Sequence, residues 1–440
     1  MMSCRLMILA LIPLTCLWGC NGSTEPPQEK APVSTELTEA KPEPPKAAKK
    51  PEKKPEKKPE TKLVVPPYYM PLSEAEIAEG WISLFDGHTL FGWSAQNDVN
   101  WAVDEQHNSV TASEGPVGLL LTDVAFADFH LKAEIKADAE TNSGLFIRCV
   151  EDPQNPTTDA YEINVAATHP EGFLSGSLVG YAKAETTDLK SGEWQTYEVI
   201  AKGPHVQVLI DGTTVLDFTD KSGKGRLWGK VGLQKNSGAV AFRNIVLKPL
   251  SMTQLFNGTD LSGWHEVPGS QAEMTVKENQ IHLKGGLGFL ETEATFDDFV
   301  AQVTSTTIAP LTNSGLFFRL EKGTEKAQSF GYEAQIHHGM VDEDPTKPEN
   351  AGMGAIFRRA NARRVTSKDH EPAVLTVVTT GPQIATWANG YQVVNWTDTR
   401  KPDDNPRKGL RLKAGHLSLQ AHDPGTEISF SAINVAPLKP

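Results

Sequence analysis

The sequence predicts an all-β protein, built as two tandem jelly-roll sandwiches after a signal peptide and a disordered Pro/Lys-rich linker. Three observations carry this. Beyond residue 71 the chain consists of short alternating apolar–polar runs separated by Gly, Asn, Asp and Pro, without a helix-period run of ten residues. The same motifs occur twice in the same order. Before residue 71, only a short N-terminal run is apolar. The 440 residues carry a formal net charge of −13 and 39% hydrophobic residues. That charge excludes nucleic acid as a partner, and the length accommodates two or three domains.

Residues 1–20 read as a signal peptide. Arg5 precedes a mostly apolar stretch over 6–18 that is too short to span a bilayer, and Leu17-Trp-Gly-Cys20 closes it. The ending resembles a bacterial lipobox, with Trp18 where a small residue is usual. Cys20 is the expected lipidation site, and ordinary cleavage with secretion is the alternative. The expected location is the cell envelope, with the membrane contacted through the lipid alone. Residues 21–70 contain Pro51-Glu-Lys-Lys-Pro-Glu-Lys-Lys-Pro-Glu60. Fixed proline φ and repelling like charges make this an extended spacer. Of the four cysteines, Cys149 alone lies in the body, where it reads as a small buried hydrophobe.

Ser73 and Glu76 have capping-box spacing, which predicts a short helix over 73–79. The strand runs follow, for example His130–Lys136, Val206–Asp211 and Ala373–Thr379. Leu84-Phe-Asp-Gly…Gly-Trp93 returns as Leu255-Phe-Asn-Gly…Gly-Trp264, Asn142-Ser-Gly-Leu-Phe-Ile-Arg148 as Asn313-Ser-Gly-Leu-Phe-Phe-Arg319, and Tyr161-Glu162 as Tyr332-Glu333. All three pairs share one offset of 171 (84 to 255, 142 to 313, 161 to 332). The expected domains are 71–250 and 251–440, the second enlarged around 339–353 and 398–410. Trp93 and Trp264 read as core or corner residues rather than sugar platforms. Gly144 and Gly315 are expected at positive φ.

Strand alternation turns the motifs into a polar face. Glu333, Gln335 and His337 point opposite to Tyr332, Ala334 and Ile336. Ser418, Gln420 and His422 point opposite to Leu417 and Leu419, and Arg319 shares a face with Phe317. The first copy keeps Glu162 and Arg148 but has Asn164, Ala166 and Asn236 where the second has Gln335, His337 and His422. Histidine suits proton transfer near neutral pH, so the second copy is the expected active one.

The ordered set of motifs, with Gly192-Glu-Trp-Gln195, Ile210-Asp-Gly212 and Phe242-Arg-Asn-Ile-Val246, resembles the 3-keto-disaccharide hydrolase family, also described as 3-keto-glucoside 1,2-lyase/3-keto-2-hydroxy-glucal hydratase. The resemblance covers residues 80–250 and 251–438. It implies a concanavalin-like fold acting on glycosides oxidised at C3. The C3 ketone acidifies the C2 proton, a base removes it while the C1 substituent leaves, and water adds back. His337 and His422 are candidates for base and acid, Arg319 for holding the enolate oxygen, and Glu333 for orienting a histidine. Gln335, Gln420, Asn313, Arg148 and Glu162 are candidates for binding the sugar. A divalent metal on His337, Glu333 and His422 is a further possibility, without a spaced metal motif behind it. The second copy departs from the pattern at Asp369-His-Glu-Pro372 and Phe430-Ser-Ala-Ile-Asn434. The competing reading is a non-catalytic pair of lectin-like modules holding a glycan. A retaining glucanase lacks its carboxylate run here.

Overall fold

The computed structural model describes residues 68–185, 188–405 and 408–439. The signal peptide, Cys20 and nearly all of the linker lie outside the described residues. The short helix forms over Glu74–Ala78 with both halves of its capping box, Ser73 and Glu76, in place. Almost everything after it is strand, because alternating β-branched and aromatic residues fit a half-buried pleated surface.

Each copy is a sandwich of two antiparallel sheets. In the first, the large sheet runs Thr213–Thr219, His205–Ile210, Trp194–Lys202, Phe129–Ala137, Val240–Pro249, Ser109–Ala112, Ala102–Asp104. The small sheet runs Trp93–Gln96, Gly118–Thr122, Lys230–Ser237, Asn142–Cys149, Tyr161–Ala166. The second copy repeats this order. Its large sheet runs Tyr391–Thr397, Gln383–Ala388, Ala373–Thr380, Phe299–Thr307, Glu427–Pro437, Gln280–Lys284, Glu273–Lys277. Its small sheet runs Trp264–Glu266, Gly288–Phe296, Gly415–Ala421, Ser314–Leu320, Tyr332–Ile336. Inward-facing residues of both sheets form the core of each copy. Trp93 and Trp264 are the expected corner residues: each indole Nε1–H donates to a carbonyl nine residues back, Leu84 O at 2.6 Å and Leu255 O at 3.1 Å.

The copies differ in what their large sheets face. Trp194–Lys202 alternates between buried and half-buried, as a sheet with one wet face should, whereas Ala373–Thr380 is buried on both faces. Val300, Val378, Ala385 and Trp387 of the second copy belong to the hydrophobic cluster of the first. Trp387 is 1% exposed and donates to Ser83 O at 2.8 Å, while Ser83 N–H donates to Gly390 O at 2.8 Å. Arg363 crosses to Asp86 at 2.7 Å and stacks on Phe91 and Tyr391. The outer face of one sheet has thus become shared core.

Truncating Trp387 removes its area and leaves a cavity at the junction. Trp387→Ala should cost about 3–5 kcal/mol. The wild type should unfold in one calorimetric transition, and a chain cut near Leu250 should lose cooperativity in both fragments. Two separate, unaltered transitions would show that the junction contributes nothing.

Candidate functional site

The candidate site is the polar face of the small sheet. In the second copy the register aligns Glu291, Ser418, Phe317 and Glu333 across neighbouring strands, and pairs Phe289 with Gln420 and Gly315 with Gln335. Tyr332, Ala334, Ile336, Leu417 and Leu419 face the core, as alternation requires. The amides lie low in this face, Gln335 1% exposed and Gln420 5%, while Glu333 is half-buried and His422 exposed. The segment after Ile336 folds back over the sheet edge, where Gln335 N–H donates to Ala355 O and Gly354 N–H to Gln335 O.

Gly315 and Gly144 are absent from the positive-φ glycines, contrary to expectation. Their role is room. A Cβ on Gly315 would lie 3.0 Å from Glu333 Cγ, and one on Gly144 would lie 3.2 Å from Glu162 Cγ. Each glycine lets the neighbouring glutamate lie across its strand. In the second copy the side-chain oxygens of Gln335, Gln420 and Asn313 are buried without a hydrogen-bond donor from the protein. Gln335 is oriented through Nε2, which donates to Asn350 O at 2.9 Å. Such acceptors cost about 1–3 kcal/mol each until a donor meets them, and a sugar hydroxyl is one.

His337 sits one position past the strand, beside Asn313 in the continued register. Gly339 N–H donates to its Nδ1 at 3.2 Å, which places the proton of the neutral ring on Nε2. Burial holds its pKa below the ordinary value, against the opposing pull of Glu349 and Asp369. Neutral His337 is therefore a hydrogen-bond donor through Nε2 rather than a ready base. His422 is half-exposed and tied to Asp423 Oδ2 at 2.9 Å. Its backbone joins Asn313 through Thr426 Oγ1. Among the described residues no group of three or more His, Cys, Asp or Glu side chains is arranged to hold a metal ion. His337, Glu333 and His422 thus do not gather as a metal-ligating trio.

Arg319 and Arg148 do not reach this face. Both have positive φ (51° and 53°) at a bulge that breaks the alternation, and both are fully buried. Arg319 donates to the carbonyls of Asp297, Gly381 and Arg411 and pairs with Asp298 at 2.8 Å. Arg148 does the same with Ala127, Gly203, Arg226 and Asp128. Neither guanidinium is placed to hold an enolate or a sugar; both lock the scaffold.

Sequence reasoning missed a second polar group on the same face. Glu291 is fully buried, accepts from Gly323 N–H at 3.1 Å and lies 3.1 Å from His265, whose ring meets His416 edge-on. The signal was in the repeat: the first copy has Leu121 and Ser94 at the matching strand positions. In the first copy, Asn164 is consumed by Phe173 O and Val165 N–H. Glu162 stands out there, because burial pushes its carboxyl up to about 7, against the pull of Gln234. Cys149 is a buried thiol pushed up to about 12 by burial, which leaves it unreactive.

Two outcomes follow. Arg319→Ala removes the donor to three carbonyls and leaves Asp298 with Lys439 as its cationic partner, and should cost about 3–5 kcal/mol in denaturant unfolding. Arg319→Lys, which cannot span four acceptors, should rescue little. For Glu162 the folded pKa lies above its ordinary 4.5, so its stabilising contribution is complete below that pH and is lost as pH rises through about 7. Glu162→Gln should therefore gain stability over the wild type between pH 4 and pH 8, by about 1–3 kcal/mol. A pH-independent difference would place the carboxyl in water.

The 3-keto-alpha-glucoside-1,2-lyase-like domain family matches residues 80–248 and 251–436. No curated protein matches. Among solved structures, a candidate glycosyl hydrolase from Parabacteroides distasonis is 22% identical with a TM-score of 0.37, covering 41% of this chain and 98% of that one. The carbohydrate-binding module CBM66 from Bacillus subtilis is 18% identical with a TM-score of 0.29, covering 36% of this chain and 95% of its own. With two matches that together span most of its length, the chain belongs to the 3-keto-alpha-glucoside-1,2-lyase-like domain family and carries that domain twice.

Proposed function

We propose that the protein cleaves 3-keto-glycosides by elimination across C1–C2 followed by hydration, with the second copy as the catalytic centre. The observation that carries this reading is the arrangement over Gly315: the Glu333 side chain lies across the glycine, flanked by the unsatisfied amide oxygens of Gln335 and Gln420. Sugar hydroxyls satisfy the amides. Glu333 takes the C2 proton, because a carboxylate is a competent base toward a proton acidified by the C3 ketone. His337 donates through Nε2 to the oxygen that becomes negative, a part that the buried Arg319 cannot reach. His422, exposed and paired with Asp423, protonates the leaving oxygen.

A second centre in the first copy is favoured by one observation, the Glu162 carboxyl held near neutrality, which suits proton transfer. Cys20 would tether both copies to the cell envelope through a lipid, with the Pro/Lys segment as spacer. In that case Cys20→Ala should move the protein from the detergent phase to the aqueous phase.

The chemistry is tested by incubating the protein with a 3-keto-glucoside and with its unoxidised parent. Only the keto sugar should be consumed. Glu333→Gln and His337→Ala should each lower the rate by about 10²-fold or more with unfolding temperatures retained. Loss in Glu162→Gln but not Glu333→Gln would move the centre to the first copy. Saturable glycan binding without turnover in the wild type would favour the lectin-like reading.

A further inference from the structure

At the edge of the first copy's small sheet, a cleft of about 440 Å³ opens where the copies meet. Strand Trp93–Gln96 and the start of Lys230–Ser237 form one wall; the hairpin of Gln383–Ala388 and Tyr391–Thr397 forms the other. Its volume lies in the range of small-molecule sites, about 300–1,000 Å³. Five of the polar groups on its walls form one continuous chain across the junction. Thr397 Oγ1 donates to Gln383 Oε1, Gln383 Nε2 donates to Asn395 Oδ1 at 2.6 Å, and Asn395 Nδ2 donates to Asp123 Oδ2 at 2.7 Å. Ser94 Oγ closes the chain on Asp123 Oδ1 at 2.5 Å.

This chain fixes which end of each amide is nitrogen. It leaves Gln383 and Asn395 a second N–H each, and Asp123 further lone pairs. Beside it, the Lys230 side chain is 7% exposed and pairs with Glu151 at 2.8 Å, using part of an ammonium that carries three N–H. Donors and acceptors are therefore held in place before any ligand arrives, which lowers the ordering cost of binding. Two carboxylates against one ammonium leave the walls one charge negative, which disfavours phosphates and uronates. Hydroxyls, each both donor and acceptor, match walls that offer both. We infer that this cleft is a binding site for a neutral mono- or disaccharide, held by both copies at once. Neither copy forms it alone, which gives the shared junction a purpose beyond adhesion.

The test is calorimetric titration of the full chain with glucose, maltose and glucose 1-phosphate, none of which is a keto sugar, so the outcome does not depend on the proposed turnover. Thr397 is exposed on its strand, so Thr397→Trp fills the cleft without disturbing the core. Glucose or maltose should bind the wild type and bind Thr397→Trp at least about tenfold more weakly. Lys230→Met should also weaken binding. The Gln335→Ala/Gln420→Ala variant, altered only on the sheet face, should keep it. Absence of binding in the wild type, unchanged affinity in Thr397→Trp, or tighter binding of glucose 1-phosphate than of glucose overturns the inference.

Discussion

The structure depends first on a buried arginine held at positive φ in each copy. Arg148 and Arg319 break the ladders of their strands, turn their guanidinium groups into the protein, and span three carbonyls and an aspartate. Those acceptors come from the segment that enters the large sheet, from a hairpin of that sheet and from the loop leading back to the small one. A single side chain therefore sets how the two sheets meet at one end of the sandwich. Few side chains could do this, because the task needs several fixed donors and a charge compensated on the spot. The same end of each copy is closed by a tyrosine on an aspartate, Tyr161 on Asp220 and Tyr332 on Asp398.

That lock has a consequence for the polar face. With the bulge fixed, the preceding residues of the strand run regularly, and Gly144 or Gly315 falls two residues before the partner of the glutamate, where the glutamate side chain needs its space. The glutamate is then held low over the sheet among side-chain amides, instead of waving in water. In the first copy this burial alone carries the carboxyl to neutrality. In the second, ionisable residues replace residues that cannot ionise along the same rows, with Glu291 and His265 standing where the first has Leu121 and Ser94. One scaffold thus presents two chemically different faces.

The junction shows how a repeat becomes an assembly. The large sheet of the second copy loses its wet face to the first, and Trp387 becomes core for its neighbour. Burial of that face supplies the adhesion, while the polar chain from Thr397 to Ser94 sets the register at its edge. Charged and amide groups at such an edge contribute little to association and much to geometry.

The fold class, the repeat and the facing of most strands are legible from the residues alone, because side-chain alternation is a local property of an extended chain. The same alternation placed Glu333, Gln335 and Gln420 on one polar face, which follows from counting by twos. Counting failed at Arg148 and Arg319, since a bulge shifts the count by one and nothing local announces it. It misread Gly144 and Gly315, whose reason is the side chain on the next strand. It passed over Glu291 and His265, which carry meaning only against the matching positions of the other copy. Whether the polar face is open or covered, and that the outer face of one sheet is core for another, were decided by tertiary structure alone, because burial depends on which surfaces meet and not on the residues that line any one of them.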